Sequence, residues 1–156
     1  MTSSQSPADL LALEIAGYKA LLRLLDGECD ALRRLDVEAI ENAAAAKHAQ
    51  VHSLEQLARL REDQLRAAGL PASVDGVNVW LAASGVSAGA SAWTTLLDLA
   101  RAARTANARN GRLVARQRQH YDGALAALLH AAGLPSVYGA DGRPQASGGG
   151  RALAAV

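Results

Sequence analysis

Aromatic residues are scarce in this sequence of 156 residues, which has two tryptophans, three tyrosines and no phenylalanine. Runs of β-branched residues are also rare, although half of the chain is apolar, with alanine and leucine dominating. Strands are typically rich in aromatic and β-branched residues, so this composition disfavours a β-sheet. We expect an all-α protein of one domain with a modest core.

Cysteine and long apolar runs are scarce as well. The single cysteine, Cys29, cannot form an internal disulfide. The opening residues MTSSQSPAD lack the basic and apolar segments of a secretory signal. No apolar run reaches the roughly 18 residues that a membrane-spanning helix needs. The sequence therefore predicts a cytoplasmic protein that contacts a membrane only through a partner.

Residue patterns typical of enzymes and metal sites are lacking. His48 and His52 form an i,i+4 pair that could hold a metal on one helix face, but no third ligand accompanies them. The stretch SGVSAG (84–89) has neither the preceding strand nor the lysine of a phosphate-binding loop. Cys29 lies on an apolar stripe and is expected to be buried rather than reactive. We predict no enzymatic activity, no metal site and no cofactor.

Charge is balanced overall but unevenly distributed. Residues 1–66 carry eleven acids and eight bases, whereas residues 67–156 carry four acids and eight arginines. The two halves are therefore expected to attract each other. Between Asp98 and Asp122 the chain has no acid and six arginines, namely Arg101, Arg104, Arg109, Arg112, Arg116 and Arg118. They fall on several helix faces without an aromatic platform, which favours a solvated face over nucleic-acid binding.

Leucine-rich heptads are the main positive signal. Ser6 and Pro7 are a typical helix cap and first residue, and an apolar stripe with alternating spacings of four and three follows them. The stripe consists of Leu11, Ile15, Tyr18, Leu22, Leu25, Cys29 and Leu32. Arg33 and Arg34 suit the end of this helix, and Asp36 suits the cap of the next one. These signals predict a tight reversal near residue 36.

Glycine and proline mark the remaining boundaries. Gly69-Leu70-Pro71 and Gly133-Leu134-Pro135 are strong stops. Residues 1–132 are therefore predicted to form a single helical domain with helices at about 9–35, 36–68 and 91–132. The first two form an elongated antiparallel coiled-coil hairpin, and the third helix is longer than either. In the connector, 69–90, a helical turn at 79–83 is expected to contact the hairpin through Val79 and Trp80, while 133–156 is a flexible tail.

The stretch NARNGRLV (107–114) is anomalous within the third helix, because it holds two asparagines and a glycine. Steps of seven from Trp93 place Asn107 on the apolar seam, and the companion row contains Asn110 and Gln117. Gly111 beside the seam allows another backbone to approach or the helix to bend. A polar seam either fixes the register of the protein's own bundle or forms a reversible groove for a client helix.

The order of these features resembles the FlgN family of flagellar type III export chaperones. The resemblance lies in a leucine-rich hairpin, a connector, a long helix with N-x-x-N-G-x-L (107–113) and a tail that opens with Y-G-A-D-G (138–142). It covers nearly the whole chain. It implies a small cytoplasmic helical chaperone that binds the C-terminal ends of the hook–filament junction proteins FlgK and FlgL. Such a chaperone keeps these subunits unassembled and delivers them to the export gate.

The resemblance also suggests where partners bind. Together with the polar seam, it places the client at Asn107, Asn110, Gly111, Leu113, Val114, Gln117 and Tyr121. It implies that the tail docks on the export-gate protein FlhA through Tyr138, Gly139, Asp141 and Gly142. Alternatively, Tyr138 folds back onto the end of the third helix. The alternative function is that of a structural coiled-coil adaptor or self-assembling helical subunit.

Overall fold

The computed structural model describes residues 6–85 and 89–133, which form four helices and no strand. Helix α1 covers Pro7–Arg34, α2 covers Val37–Ala67, α3 covers Val74–Ala83 and α4 covers Gly89–Ala131. The all-α prediction is confirmed, and each long helix ends within two residues of its predicted bounds. The supercoiling of the hairpin stays a prediction. None of the described helices has both the length and the apolarity needed to cross a lipid bilayer.

The chain divides into two compact units, Met1–Leu113 and Val114–Val156, and α4 contributes residues to both. The first unit contains α1, α2 and α3 together with the first part of α4. The described part of the second unit is the remainder of α4 and the two residues after it.

Helix α1 begins with the predicted cap. The Ser6 hydroxyl accepts a hydrogen bond from the Asp9 backbone N–H at 3.2 Å and donates one to the Asp9 carboxylate at 2.6 Å. Pro7 occupies the first turn, where its missing N–H costs nothing. Of the predicted stripe, Leu11, Leu25, Cys29 and Leu32 are buried and the other three members are half-buried.

The reversal between α1 and α2 is made without glycine. Leu35 has φ 56° and ψ 34°, in the left-handed region, and the Asp36 N–H donates to the Ala31 carbonyl at 3.1 Å. These are features of the helix end that glycine usually forms. Asp36 then caps α2 by accepting a hydrogen bond from the Ala39 N–H at 3.1 Å. The predicted reversal is therefore confirmed, at the cost of an unfavourable backbone conformation at Leu35.

The connector contains a full helix, α3, where the sequence predicted one turn. Trp80 is buried as expected, but Val79 is 54% exposed, so the prediction for Val79 is wrong. Val77 and Leu81 are buried in its place, because residues three and four apart share a helix face and Val79 lies off that face. Gly76 packs so closely on the Pro71 carbonyl oxygen that a Cβ would collide with it.

The core of the first unit has two parts. The larger cluster joins all four helices and consists of Leu10, Leu11, Leu65, Val77, Trp80, Leu81, Trp93 and Leu96. The smaller cluster joins α1, α2 and α4 and consists of Leu21, Leu25, Leu54, Ala103 and Ala106. In the smaller cluster α4 supplies only alanines, so hydrophobic burial holds α4 less strongly there than at Trp93.

We predict that Leu35→Gly raises the free energy of unfolding by about 1 kcal/mol. Glycine adopts the left-handed conformation without strain, and Leu35 is 49% exposed, so its side chain contributes little burial. Urea denaturation of the wild type and the variant measures the change.

Leu60→Gly is the matched control, because Leu60 is similarly exposed at 39% but lies inside α2. This control should lose about 1 kcal/mol. A loss of stability in Leu35→Gly as well would contradict the strain assigned to the turn.

Candidate functional site

Asn110 lies at the centre of a buried polar cluster in the first unit. Its side chain is 2% exposed, and its amide nitrogen donates to the Leu25 carbonyl oxygen at 2.7 Å and to Glu28 Oε2 at 2.8 Å. Its amide oxygen accepts a hydrogen bond from Arg109 Nε at 3.2 Å. Both amide protons of this seam residue are thus used within the chain, on α1.

Lys47 completes the cluster from α2. Its Nζ lies 2.6 Å from Glu28 Oε1, so the Glu28 carboxylate joins α2 to α4 through α1. Burial pushes the pKa of Glu28 upward, but the hydrogen bonds from Lys47 and Asn110 and the charge of Lys47 together outweigh it. The pKa of Glu28 therefore lies below its ordinary value, and the carboxylate is ionised at neutral pH.

Asn107 is placed differently from the prediction. It is exposed, whereas Ala103, Ala106 and Asn110 form the buried face of α4 at this level. The prediction that both asparagines face the seam is therefore wrong for Asn107. An α-helix drifts by roughly 20° per heptad relative to a strict seven-residue repeat, so two heptads from Trp93 move this row off the packed face.

The other predicted client residues lie along α4. Gly111 is exposed, and a Cβ built on it would meet no atom within 4 Å, so no described backbone approaches it. Leu113 and Gln117 are half-buried, while Val114 and Tyr121 are exposed. The structure thus gives Asn110 hydrogen-bond partners on α1 and leaves Val114 and Tyr121 open to solvent. Binding of a client at any of these residues stays a prediction.

The second unit presents an unburied apolar face. Val114, Tyr121, Leu125 and Leu128 are between 49% and 68% exposed. Their spacings of seven, four and three place them on one face of a helix. We call these four residues the apolar stripe. Leu125 and Leu128 were absent from the predicted client site, although Leu128 belongs to the same heptad row as Tyr121.

Comparison with known proteins gives the chain a family. The family described as FlgN protein matches residues 1–146. The chain belongs to the FlgN family. Its fold is also similar to the crystal structure of a putative flagella synthesis protein FlgN from Pseudomonas aeruginosa, with a TM-score of 0.64 and 29% sequence identity. That match covers 69% of this chain and 84% of the other. No curated protein matches the sequence significantly.

Membership of the FlgN family gives the chain a role in flagellar synthesis as an export chaperone. The expected gate-docking residues, Tyr138, Gly139, Asp141 and Gly142, lie outside the described residues. His48 and His52 are exposed on α2. Within the described ranges, no group of three or more histidine, cysteine, aspartate or glutamate side chains could hold a metal ion.

This FlgN-family chain has a second buried acid that was not predicted from the sequence. Glu14 is buried in α1, and its Oε1 lies 2.9 Å from Arg61 Nε of α2. The Arg61 guanidinium also lies 5.0 Å from the ring centroid of Trp93, on α4. Burial raises the pKa of Glu14, and the charge and hydrogen bond of Arg61 only partly oppose that effect.

The hairpin register could have revealed both acids. The two ion pairs, Glu14–Arg61 and Glu28–Lys47, share the same midpoint in the sequence, which lies between residues 37 and 38. An antiparallel hairpin that turns at Asp36 brings such symmetric positions together. Each acid also lies three residues after a buried leucine of α1, so it shares the packed face of that helix. A basic residue of α2 at the position that mirrors each acid across the turn was therefore the sequence signal for a buried ion pair.

We predict opposite pH dependence for Glu14→Gln and Glu28→Gln. The lowered pKa of Glu28 means that its carboxylate stabilises the fold above the ordinary pKa, and that this contribution disappears as the pH falls through the folded-state value. Glu28→Gln should therefore be less stable than the wild type at pH 7, by about 1–3 kcal/mol, with the difference vanishing at acidic pH.

For Glu14 the sign reverses, because its pKa is raised. Protonated Glu14 favours the fold, and this stability is lost as the pH rises from the ordinary pKa through the folded-state value. Glu14→Gln should therefore gain stability relative to the wild type as the pH rises. Urea denaturation from about pH 2.5, below the lowered pKa of Glu28, to about pH 8 measures both variants. Parallel pH profiles would contradict the assignment.

Proposed function

We propose that this protein is a cytoplasmic export chaperone for the hook–filament junction proteins FlgK and FlgL. It binds their C-terminal segments, keeps the subunits unassembled and delivers them to the flagellar type III export gate. The observation that carries the proposal is the apolar stripe of the second unit. Four large apolar side chains on one face of α4 are open to solvent in a chain that belongs to a chaperone family.

An amphipathic client helix is the partner that fits this stripe. Apolar anchors at spacings of seven, four and three match the face that such a helix presents. The polar residues among the proposed client contacts, Asn107 and Gln117, limit the buried apolar area and keep binding moderate. Moderate affinity suits a chaperone that must release its client. Asn110 holds α4 on the hairpin next to Gly111 and Leu113.

We predict that Val114→Glu and Tyr121→Glu each weaken binding of a FlgK C-terminal peptide at least tenfold. Each places a charge in the apolar contact, yet each residue is exposed in the free protein, so folding should lose less than about 0.5 kcal/mol. Isothermal titration calorimetry measures binding, and urea denaturation measures folding.

Gln119→Glu is the matched control, because it adds the same charge to an exposed position of α4 that lies about 140° from Val114 around the helix. It should bind the peptide as the wild type does. Equal losses in binding and folding, or an equal effect of the control, would contradict the client site. A stable oligomer that ignores the peptide in light scattering would favour the structural adaptor instead.

We propose that the tail, residues 133–156, is the part of the chain that docks on FlhA. Tyr138 is the aromatic anchor of Y-G-A-D-G, Gly139 and Gly142 let the backbone bend around it, and Asp141 supplies a charge. A short segment with a single aromatic anchor buries little area and gives a weak, rapidly reversible contact. Such a contact suits repeated delivery.

We predict that Tyr138→Ala removes binding to the cytoplasmic domain of FlhA and leaves peptide binding and helix content unchanged. Pull-down with the FlhA domain and circular dichroism measure these effects. The control is Tyr121→Ala, which should weaken binding of the client peptide and leave FlhA binding intact. Unchanged FlhA binding by Tyr138→Ala would refute the docking assignment.

A further inference from the structure

The first unit carries an arginine-rich surface that neither the core nor the proposed client site uses. Arg101, Arg104 and Arg112 are exposed on α4. Taking about 100° per residue, Arg112 lies about 20° from Arg101 around the helix and Arg104 lies about 60° on its other side. The buried residues Ala103 and Asn110 lie on the far side of the helix, about 180–200° from Arg101. We call the three arginines the arginine face.

The charges of this face are largely unneutralised. Arg104 and Arg112 form no ion pair with any residue of the described ranges. Arg101 lies 2.6 Å from Asp98, but both side chains are more than 60% exposed, so the pair contributes little and can exchange. Arg109, in contrast, points to α1 and lies 3.0 Å from Asp26. Arg109 therefore helps to hold α4 against α1, whereas the three residues of the arginine face are exposed to solvent.

We propose that the arginine face binds an acidic protein segment, at residues distinct from the apolar stripe. Guanidinium groups pair with carboxylates through two parallel hydrogen bonds, a geometry that lysine cannot match. The chain has no lysine after position 66 and carries eight arginines there. Ala108 lies between Arg104 and Arg112 and has a small side chain, so a partner helix can approach the backbone there. The face spans about 16 Å, or about three turns of such a helix.

Other anionic partners fit this face less well. Peripheral membrane helices need large apolar side chains beside the basic ones, and here the intervening residues are Thr105 and Ala108. A nucleic-acid strand favours aromatic platforms, which this face lacks. Acidic residues also border the face, with Asp98 at one end and Asp26 on the adjacent helix, so a long polyanion would meet repulsion. A short acidic helix presents fewer charges to these two acids than a long polyanion does.

The test is a titration followed by NMR, using the full-length protein and an alanine-based helical peptide whose glutamates are spaced to face the three arginines. At about 50 mM salt the peptide should shift the amide resonances of residues 100–113 most strongly. Raising the salt to about 300 mM should weaken binding several-fold. Arg104→Glu/Arg112→Glu should weaken binding at least tenfold.

Arg23→Glu/Arg59→Glu is the matched control, since both arginines are exposed on the hairpin and the net charge changes equally. It should weaken binding less than threefold. The proposal is overturned if the peptide does not bind, or if both double variants lose binding equally. It is also overturned if a single-stranded oligonucleotide or phosphatidylserine vesicles bind more tightly than the peptide through Arg104 and Arg112.

Discussion

The bond between Asn110 and Glu28 is the interaction on which the placement of α4 depends. At the level of the smaller core cluster, α4 contributes only Ala103 and Ala106 to the apolar contact. Alanines bury little area and allow a helix to slide or rotate. The Asn110 amide instead has two fixed acceptors on α1, the Leu25 carbonyl and the Glu28 carboxylate. Hydrogen bonds in a buried site are directional, so they select one register where the alanines do not.

Burying a carboxylate carries a penalty that its partners must offset. Glu28 meets this need through Lys47 from α2 and Asn110 from α4, so one side chain of α1 joins both neighbours. Removing either partner leaves a buried charge incompletely satisfied, which costs more than the bond itself contributes. The N-x-x-N-G-x-L motif therefore has a structural role in this chain. Its second asparagine holds the helix, while Asn107 and Gly111 remain open to solvent.

The sequence was sufficient to predict the three long helices, the caps of α1 and α2, and the family resemblance. Regular heptads and the stops at Gly69 and Gly133 are local signals, and local signals define helix ends well. The site was harder to predict. A strict heptad placed Asn107 on the seam because it ignores the drift of a straight helix, and Glu28 was overlooked because a buried acid can be recognised only with its partner. The hairpin register supplies that partner, but only after the turn at Asp36 is known.

A double-mutant cycle between Asn110 and Glu28 tests the central claim most directly. Asn110→Leu should lower the free energy of unfolding by about 1–3 kcal/mol, although leucine is more apolar and a better helix former. Glu28→Met removes the charge to which the Asn110 amide donates. In that background, Asn110→Leu should lower the free energy of unfolding by at least about 1 kcal/mol less than it does in the wild type. Additive losses, or an Asn110→Leu variant as stable as the wild type, would show that α4 is held by its apolar contacts alone.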